Sequence, residues 1–188
     1  MRKLILFLHT SLDGYVARLN GDISWVKIDD EMFDVVARLT DQADTALHGR
    51  VTFQLMESYW PTAAEQPNAT KHDIYHSRWY NKVLKVVISR TINEAGLTRT
   101  LIFNDNITEN IRKLKKEKGK NIIIFGSPST SHYLVSQGLV DEFWLLINPI
   151  LLGQGIPCFK GLTENISLSL IGNKTYSNGV IELHYSKV

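Results

Sequence analysis

Asn121-Ile122-Ile123-Ile124-Phe125-Gly126-Ser127-Pro128-Ser129 is the stretch whose reading decides the fold. Its apolar run has the length of a strand buried on both faces and ends abruptly at glycine, serine and proline. Thr130 to Gln137 then reads as a helix, closed by Gly138 in the C-terminal glycine position. Glu142 to Ile147 is strand-like again. Strand, helix and strand in direct succession imply a parallel sheet with helices packed on its faces.

The same alternation extends upstream. Lys3 to Leu8 is a compact apolar strand, and Asp29 to Asp41 places Met32, Phe33, Val35, Val36 and Leu39 at helical spacing behind acids suited to a helix start. Thr45 to His48 reads as a strand entering Gly49-Arg50-Val51-Thr52, and Phe53 to Tyr59 as a helix stopped at Trp60-Pro61. Thr62 to Thr70 reads as a loop, Asp73 to Tyr80 as a short helix. Lys85 to Ile88 and Thr100 to Phe103 read as strands, with Ile107 to Lys118 as a surface helix. At the other end, Leu168 to Tyr176 and Val180 to Ser186 flank Asn178-Gly179, a strong hairpin turn. The expected fold is α/β, a mostly parallel central sheet flanked by helices with a C-terminal antiparallel hairpin.

Bulk properties fit one soluble domain covering residues 1–188. A chain of this length with 44% hydrophobic and 21% charged residues holds enough apolar material for a core without a staple. The net charge of +2 lacks the clustered basic excess of nucleic-acid binders. The run Arg112 to Lys118 suits a solvated helix end, where cations complement the macrodipole. Cys158 is a single cysteine, so no disulfide forms within the chain. The apolar start is too short for a signal peptide, and no stretch approaches the ~20 apolar residues of a membrane helix. A cytoplasmic protein with no membrane or nucleic-acid partner is expected. The histidines are scattered without ligand spacing, so no metal site is expected.

In an open α/β sheet, ligands bind beyond the carboxyl ends of the strands. Small, polar or cationic residues gather at such ends in His9 to Ala17, Gly49 to Thr52, Ser89 to Thr91 and Gly126 to Ser131. Gly49-Arg50-Val51-Thr52 and Gly126-Ser127-Pro128-Ser129-Thr130 each join a strand directly to a helix, where free N–H groups favour an anion. Two such turns suit a pyrophosphate between two nucleosides. Arg50 and Arg90 bring guanidinium groups able to grip a phosphate bidentately, favouring the 2′-phosphate of NADPH over the bare ribose of NADH. Each piece alone also has a plain explanation, as turn geometry or a surface cation. No G-x-G-x-x-G occurs, which argues against a conventional Rossmann dehydrogenase.

These residues resemble the dihydrofolate-reductase-like proteins, and among them the reductase domain of the bifunctional riboflavin-biosynthesis deaminase-reductase (the RibD C-terminal type). Ser11-Leu12-Asp13-Gly14-Tyr15-Val16-Ala17 resembles the family's S-L-D-G-x-I-A, His48 to Phe53 its x-G-R-x-T-[YF], and Val86 to Thr91 its V-V-x-S-R-T. Gly138-Leu139-Val140-Asp141-Glu142 and Pro149 to Phe159 are similar to G-L-V-D-E and P-x-L-L-G-x-G-x-P-x-F. The resemblance implies a dihydrofolate-reductase fold, NADPH as hydride donor and a homodimer. It implies that Ala17, Gly49, Arg50, Thr52, Ser89, Arg90, Gly126 and Ser127 line the cofactor site, with the loop from Ala17 to Trp25 closing over the nicotinamide. Two positions depart from the pattern: Gly126-Ser127 replaces a glycine pair, and Leu84 stands where relatives carry proline. The deaminase's H-x-E and P-C-x-x-C zinc motif does not occur, so the full bifunctional enzyme is not expected.

Hydride transfer to a C=N or C=O centre is eased by a carboxyl whose pKa is raised in an apolar pocket. Dihydrofolate reductases carry such an acid early in the first helix, which makes Asp30 and Asp34 the positional candidates. Asp13, beside the expected nicotinamide, is the third, although an Asx-type turn explains it equally well. The function expected is NADPH-dependent reduction of a small heterocycle, of the 5-amino-6-(5-phosphoribosylamino)uracil reductase or dihydrofolate reductase type. The alternative is a non-catalytic NADP(H)-binding or sensing protein on the same fold.

Overall fold

A computed structural model describes residues 1–92 and 96–188. From the N-terminus the chain makes β1 (Leu4–Ser11), β2 (Tyr15–Ala17), α1 (Asp30–Asp41), β3 (Ala43–Gly49) and α2 (Arg50–Tyr59). A 3-10 turn (Trp60–Glu65) leads to α3 (Lys71–Lys82), β4 (Leu84–Ile88), β5 (Thr100–Phe103), α4 (Ile107–Lys116) and β6 (Asn121–Phe125). The chain ends with α5 (Pro128–Ser136), β7 (Glu142–Asn148), β8 (Ile156–Pro157), β9 (Leu168–Thr175) and β10 (Ile181–Lys187). Eight strands form one sheet in the order β5-β4-β3-β6-β1-β7-β10-β9. The pairs β3–β4, β4–β5 and β1–β7 are parallel, whereas β10 runs antiparallel to both β7 and β9. This is the mostly parallel α/β architecture with a C-terminal antiparallel pair expected above.

Packing divides the chain into two compact units: Met1–Arg2 with Ile28–Ile123, and Lys3–Lys27 with Ile124–Val188. In the first unit, Ala46 and Leu47 of β3 and Val86 and Val87 of β4 are fully buried, as a doubly covered parallel strand requires. The Asp29 carboxylate accepts from the Met32 N–H at 3.1 Å and starts α1, turning Met32, Val35 and Leu39 inward. Helix α3 begins earlier than its apolar residues suggest, because Thr70 and Asp73 form a capping box that satisfies the first-turn donors. The expected loop after Trp60 starts as a 3-10 turn, with Pro61 in its first turn. Buried Arg2 pairs with Asp44 and Thr45 and donates to the Lys120 carbonyl at 2.7 Å, fastening the chain start to β3.

In the second unit, Leu4, Leu6 and Leu146 are fully buried along the β1–β7 pair. The β9–β10 hairpin closes as the Asn178-Gly179 pair predicts. The Tyr176 N–H donates to the Val180 carbonyl at 2.9 Å, and Gly179 takes φ +86°, which glycine adopts without Cβ strain. The antiparallel pair β2–β8 escapes sequence reading because strands of three and two residues carry no period.

Candidate functional site

In the first unit, β3 and β4 lie parallel with Gly49 opposite Ile88, so the turns Gly49-Arg50 and Ser89-Arg90 leave neighbouring strand ends together. Gly49 is the N-cap of α2 and offers no side-chain cap, which leaves the first-turn donors of a ten-residue helix to other partners. Arg50 is exposed and its guanidinium donates to Gln54 one turn on at 3.1 Å, while Thr52 is half-buried. Buried Ser89 shapes the second turn: its hydroxyl accepts from the N–H groups of Thr91 and Ile92, both at 3.1 Å. Arg90 stands exposed beside it.

The second unit holds the loops that carry Asp13, Ala17, Gly126 and Ser127. The Asp13 carboxylate accepts from the Ser11 hydroxyl at 2.6 Å and from the N–H groups of Leu152 and Gly153 at 3.1 and 2.7 Å. Around it, Leu12 N–H donates to the Ile150 carbonyl, and Cys158 N–H donates to the Gly14 carbonyl. The two motif loops are therefore one clamped assembly, in which buried Ala17 pairs with Ile156 across β2–β8. Gly126 and Ser127 both take φ +60°, and Ser127 is the N-cap of α5. The Ser131 hydroxyl donates to the Gly126 carbonyl at 2.8 Å, and the Ser127 hydroxyl donates to Thr130 at 3.0 Å, fixing this turn.

Ser127 thus holds a left-handed conformation that a glycine would adopt without strain. A β-branched side chain fits it worse still. Ser127→Val should lower stability by about 1–3 kcal/mol, read from chemical denaturation, whereas an unchanged midpoint would mean that this turn relaxes.

A family model for the RibD C-terminal domain matches residues 2–181. The chain belongs to the RibD C-terminal domain family. Among curated relatives, the uncharacterized protein YyaP of Bacillus subtilis (strain 168) is 37% identical over 186 residues, covering 98% of this chain and 94% of its own. A candidate riboflavin biosynthesis protein from Shewanella sp. PV-4 has a solved structure that matches with TM-score 0.76 at 23% identity, covering 99% of each chain. The deaminase/5-amino-6-(5-phosphoribosylamino)uracil reductase of Thermotoga maritima matches with TM-score 0.69 at 12% identity, over 100% of this chain and 57% of its own. At these identities the solved structures establish a shared fold, the reductase-type fold of RibD-like proteins.

Within this RibD C-terminal domain, the candidate acids sit differently from the expectation of a buried, raised carboxyl. The Ser11 hydroxyl bond, with the Leu152 and Gly153 N–H groups, holds the Asp13 carboxyl below the usual carboxylate range. Asp30 is likewise lowered, by a hydrogen bond and ion pair with Lys71 at 3.4 Å, and contacts His72 at 3.1 Å in an exposed position. Both stay ionised near neutral pH, the reverse of the raised carboxyl looked for. Asp34 faces solvent one turn after Asp30.

Sequence reasoning passed over a polar pair at the ends of β1 and β7. Fully buried Asn148 uses Nδ2 to donate to the Leu146 carbonyl at 3.0 Å, and its Oδ1 accepts from the Lys27 N–H at 2.9 Å. The same Nδ2 lies 3.4 Å from His9 Nδ1 and 3.4 Å from the Thr10 carbonyl. Burial lowers the His9 pKa to about 4, so the ring is neutral at pH 7. His9 had been counted as part of a strand end, and only the register of Ser11 with Asn148 shows its partner.

Proposed function

We propose that this chain is an NADPH-dependent reductase of a small heterocyclic substrate, of the 5-amino-6-(5-phosphoribosylamino)uracil reductase type. Residues 1–188 would act as one cytoplasmic reductase domain that pairs as a homodimer. The observation that carries the reading is the side-by-side exit of Gly49-Arg50 and Ser89-Arg90 from parallel strands, with both arginines exposed. A glycine N-cap without a side-chain cap and two exposed guanidiniums fit a phosphate group. In the second unit, Ala17, Gly126 and Ser127 offer closely approachable backbone held by the Asp13 and Ser131 bonds. The cofactor, when bound, supplies the hydride. The protein's own residues at the Gly49-Arg50 and Ser89-Arg90 turns would hold a phosphate of that cofactor and orient it.

A specific observation favours the alternative, a non-catalytic NADP(H)-binding protein: neither Asp13 nor Asp30 is the neutral carboxyl a proton donor would be. Activity separates the two readings. Incubation with NADPH and a ribosylaminopyrimidine phosphate should lower absorbance at 340 nm if the reductase reading holds.

The cofactor assignment has its own test. Arg50→Ala and Arg90→Ala should each weaken NADPH by roughly ten- to a hundredfold, the worth of a charge-assisted phosphate bond. NADH affinity should be nearly unchanged. Fluorescence titration of both nucleotides reads the ratio, and equal losses would contradict binding of the 2′-phosphate.

A further inference from the structure

The pair His9–Asn148 is built for more than filling the core. Asn148 has an amide orientation set by its surroundings: two backbone carbonyls, of Leu146 and Thr10, face its nitrogen, and the Lys27 N–H faces its oxygen. With the nitrogen so placed, its second hydrogen is shared with His9 Nδ1 at 3.4 Å. Nδ1 is then an acceptor, and the ring proton resides on Nε2. The ring cannot swivel freely, because Phe7 meets it edge-on at 5.5 Å. Nε2 has no partner among the described residues, and the group is neutral.

A second donor lies on the segment that Asn148 holds. Trp25, two residues before the anchored Lys27, buries its indole N–H without an acceptor among the described residues. A buried indole N–H left without an acceptor is costly in a native protein and calls for an explanation, of which a ligand is one. Both residues belong to the second unit: His9 lies near the carboxyl end of β1, where ligands of open α/β sheets bind, and Trp25 precedes the Lys27 N–H that Asn148 holds at the end of β7.

We propose that His9 is a ligand-facing residue whose Nε2–H donates to a carbonyl or carboxamide oxygen of an uncharged ring, with Asn148 as the positioning residue that fixes its tautomer. The inference rests on the proposed NADPH-dependent reductase reading and names a polar contact for its site. The oxygen has two sources: the nicotinamide carboxamide or a carbonyl of the heterocycle.

The test is imidazole nitrogen NMR on the full chain labelled with 15N-histidine, the His9 signal assigned by its loss in His9→Gln. At pH 7, His9 should be the Nε2-protonated neutral tautomer. NADPH alone shifting Nε2 identifies the carboxamide as acceptor; a shift only with 5,6-diaminouracil, with or without NADP+, identifies the heterocycle. Asn148→Ala should convert the signal to a tautomer mixture; if the alanine variant does not fold, Asn148→Asp, whose carboxylate only accepts, should move the proton to Nδ1. An Nδ1-protonated or charged ring in the free protein, or no Nε2 shift in any arm, overturns the proposal. NADPH binding is followed separately by its own fluorescence. Bound NADPH with a silent His9 sinks only this inference, whereas no binding sinks the cofactor reading.

Discussion

Gly155→Ala should be the most damaging single-methyl change in the second unit. A Cβ at this position would lie 2.3 Å from the Ala17 carbonyl oxygen and 3.2 Å from Tyr15 Cβ and Cγ. The first clash is with backbone, which cannot step aside by rotating a side chain. Relief requires β2 and β8 to part, and the Cys158 N–H bond to Gly14 must stretch with them. Overpacking of this kind costs about 2–3 kcal/mol, which lowers the melting temperature by roughly 5–10 °C in a chain of this size. Because Ala17 belongs to the same strand pair, NADPH affinity should fall as well. Gly172 in β9 is the control, since a Cβ there meets nothing within 4 Å. Thermal unfolding of the two variants should separate them clearly; matching melting temperatures would mean that the β2–β8 contact is not rigid.

Acid should destabilise the first unit well before its carboxylates are titrated. His48 is fully buried, with both ring nitrogens lacking a partner among the described residues. Burial, with smaller contributions from Lys85 and His76, presses its pKa from the ordinary 6.5 to about 4. Burial does the same to His76, likewise to about 4. The unfolded chain therefore takes up these protons first. The stability they contribute is complete above about pH 6.5 and is lost as pH falls from 6.5 toward 4. Each histidine accounts for on the order of 2 kcal/mol. The melting temperature should drop steeply between pH 7 and pH 5, and His48→Phe should flatten that slope. A melting temperature constant over this range would show that the rings find water or acceptors once the chain is in solution.

The parts of the fold that follow from periodicity were readable in the chain. β5 and β6 lie where the apolar runs placed them, at Thr100–Phe103 and Asn121–Phe125. The turn at Asn178-Gly179 announced the terminal hairpin, because only a few residue types tolerate positive φ there. What could not be read was long-range pairing. Nothing local in Ser11-Leu12-Asp13-Gly14 says that the aspartate will accept from Leu152 and Gly153, so its turn-forming and acid roles stayed balanced until the partners were known. The first-helix acids illustrate the same gap. Asp30 reads as a helix-start acid or as an acid lining the substrate cleft, and its ion pair with Lys71 across 3.4 Å decides its charge state. His9 reads only as part of a strand end, because its neighbour Asn148 lies far along the chain.

The two turns proposed to hold the cofactor's phosphate were legible for a different reason. A small residue followed by arginine at two strand ends, Gly49-Arg50 and Ser89-Arg90, is a chemical pattern in the sequence, and the β3–β4 register places the two turns side by side. Their purpose is the central claim. Calorimetric titration of the wild-type chain with NADPH and NADH, at one fixed ionic strength, tests it most directly. Saturable NADPH binding below the millimolar range, at least tenfold tighter than NADH, is the result expected from a guanidinium pair on a 2′-phosphate. Heat traces showing no binding of either nucleotide, or equal affinity for both, would contradict it.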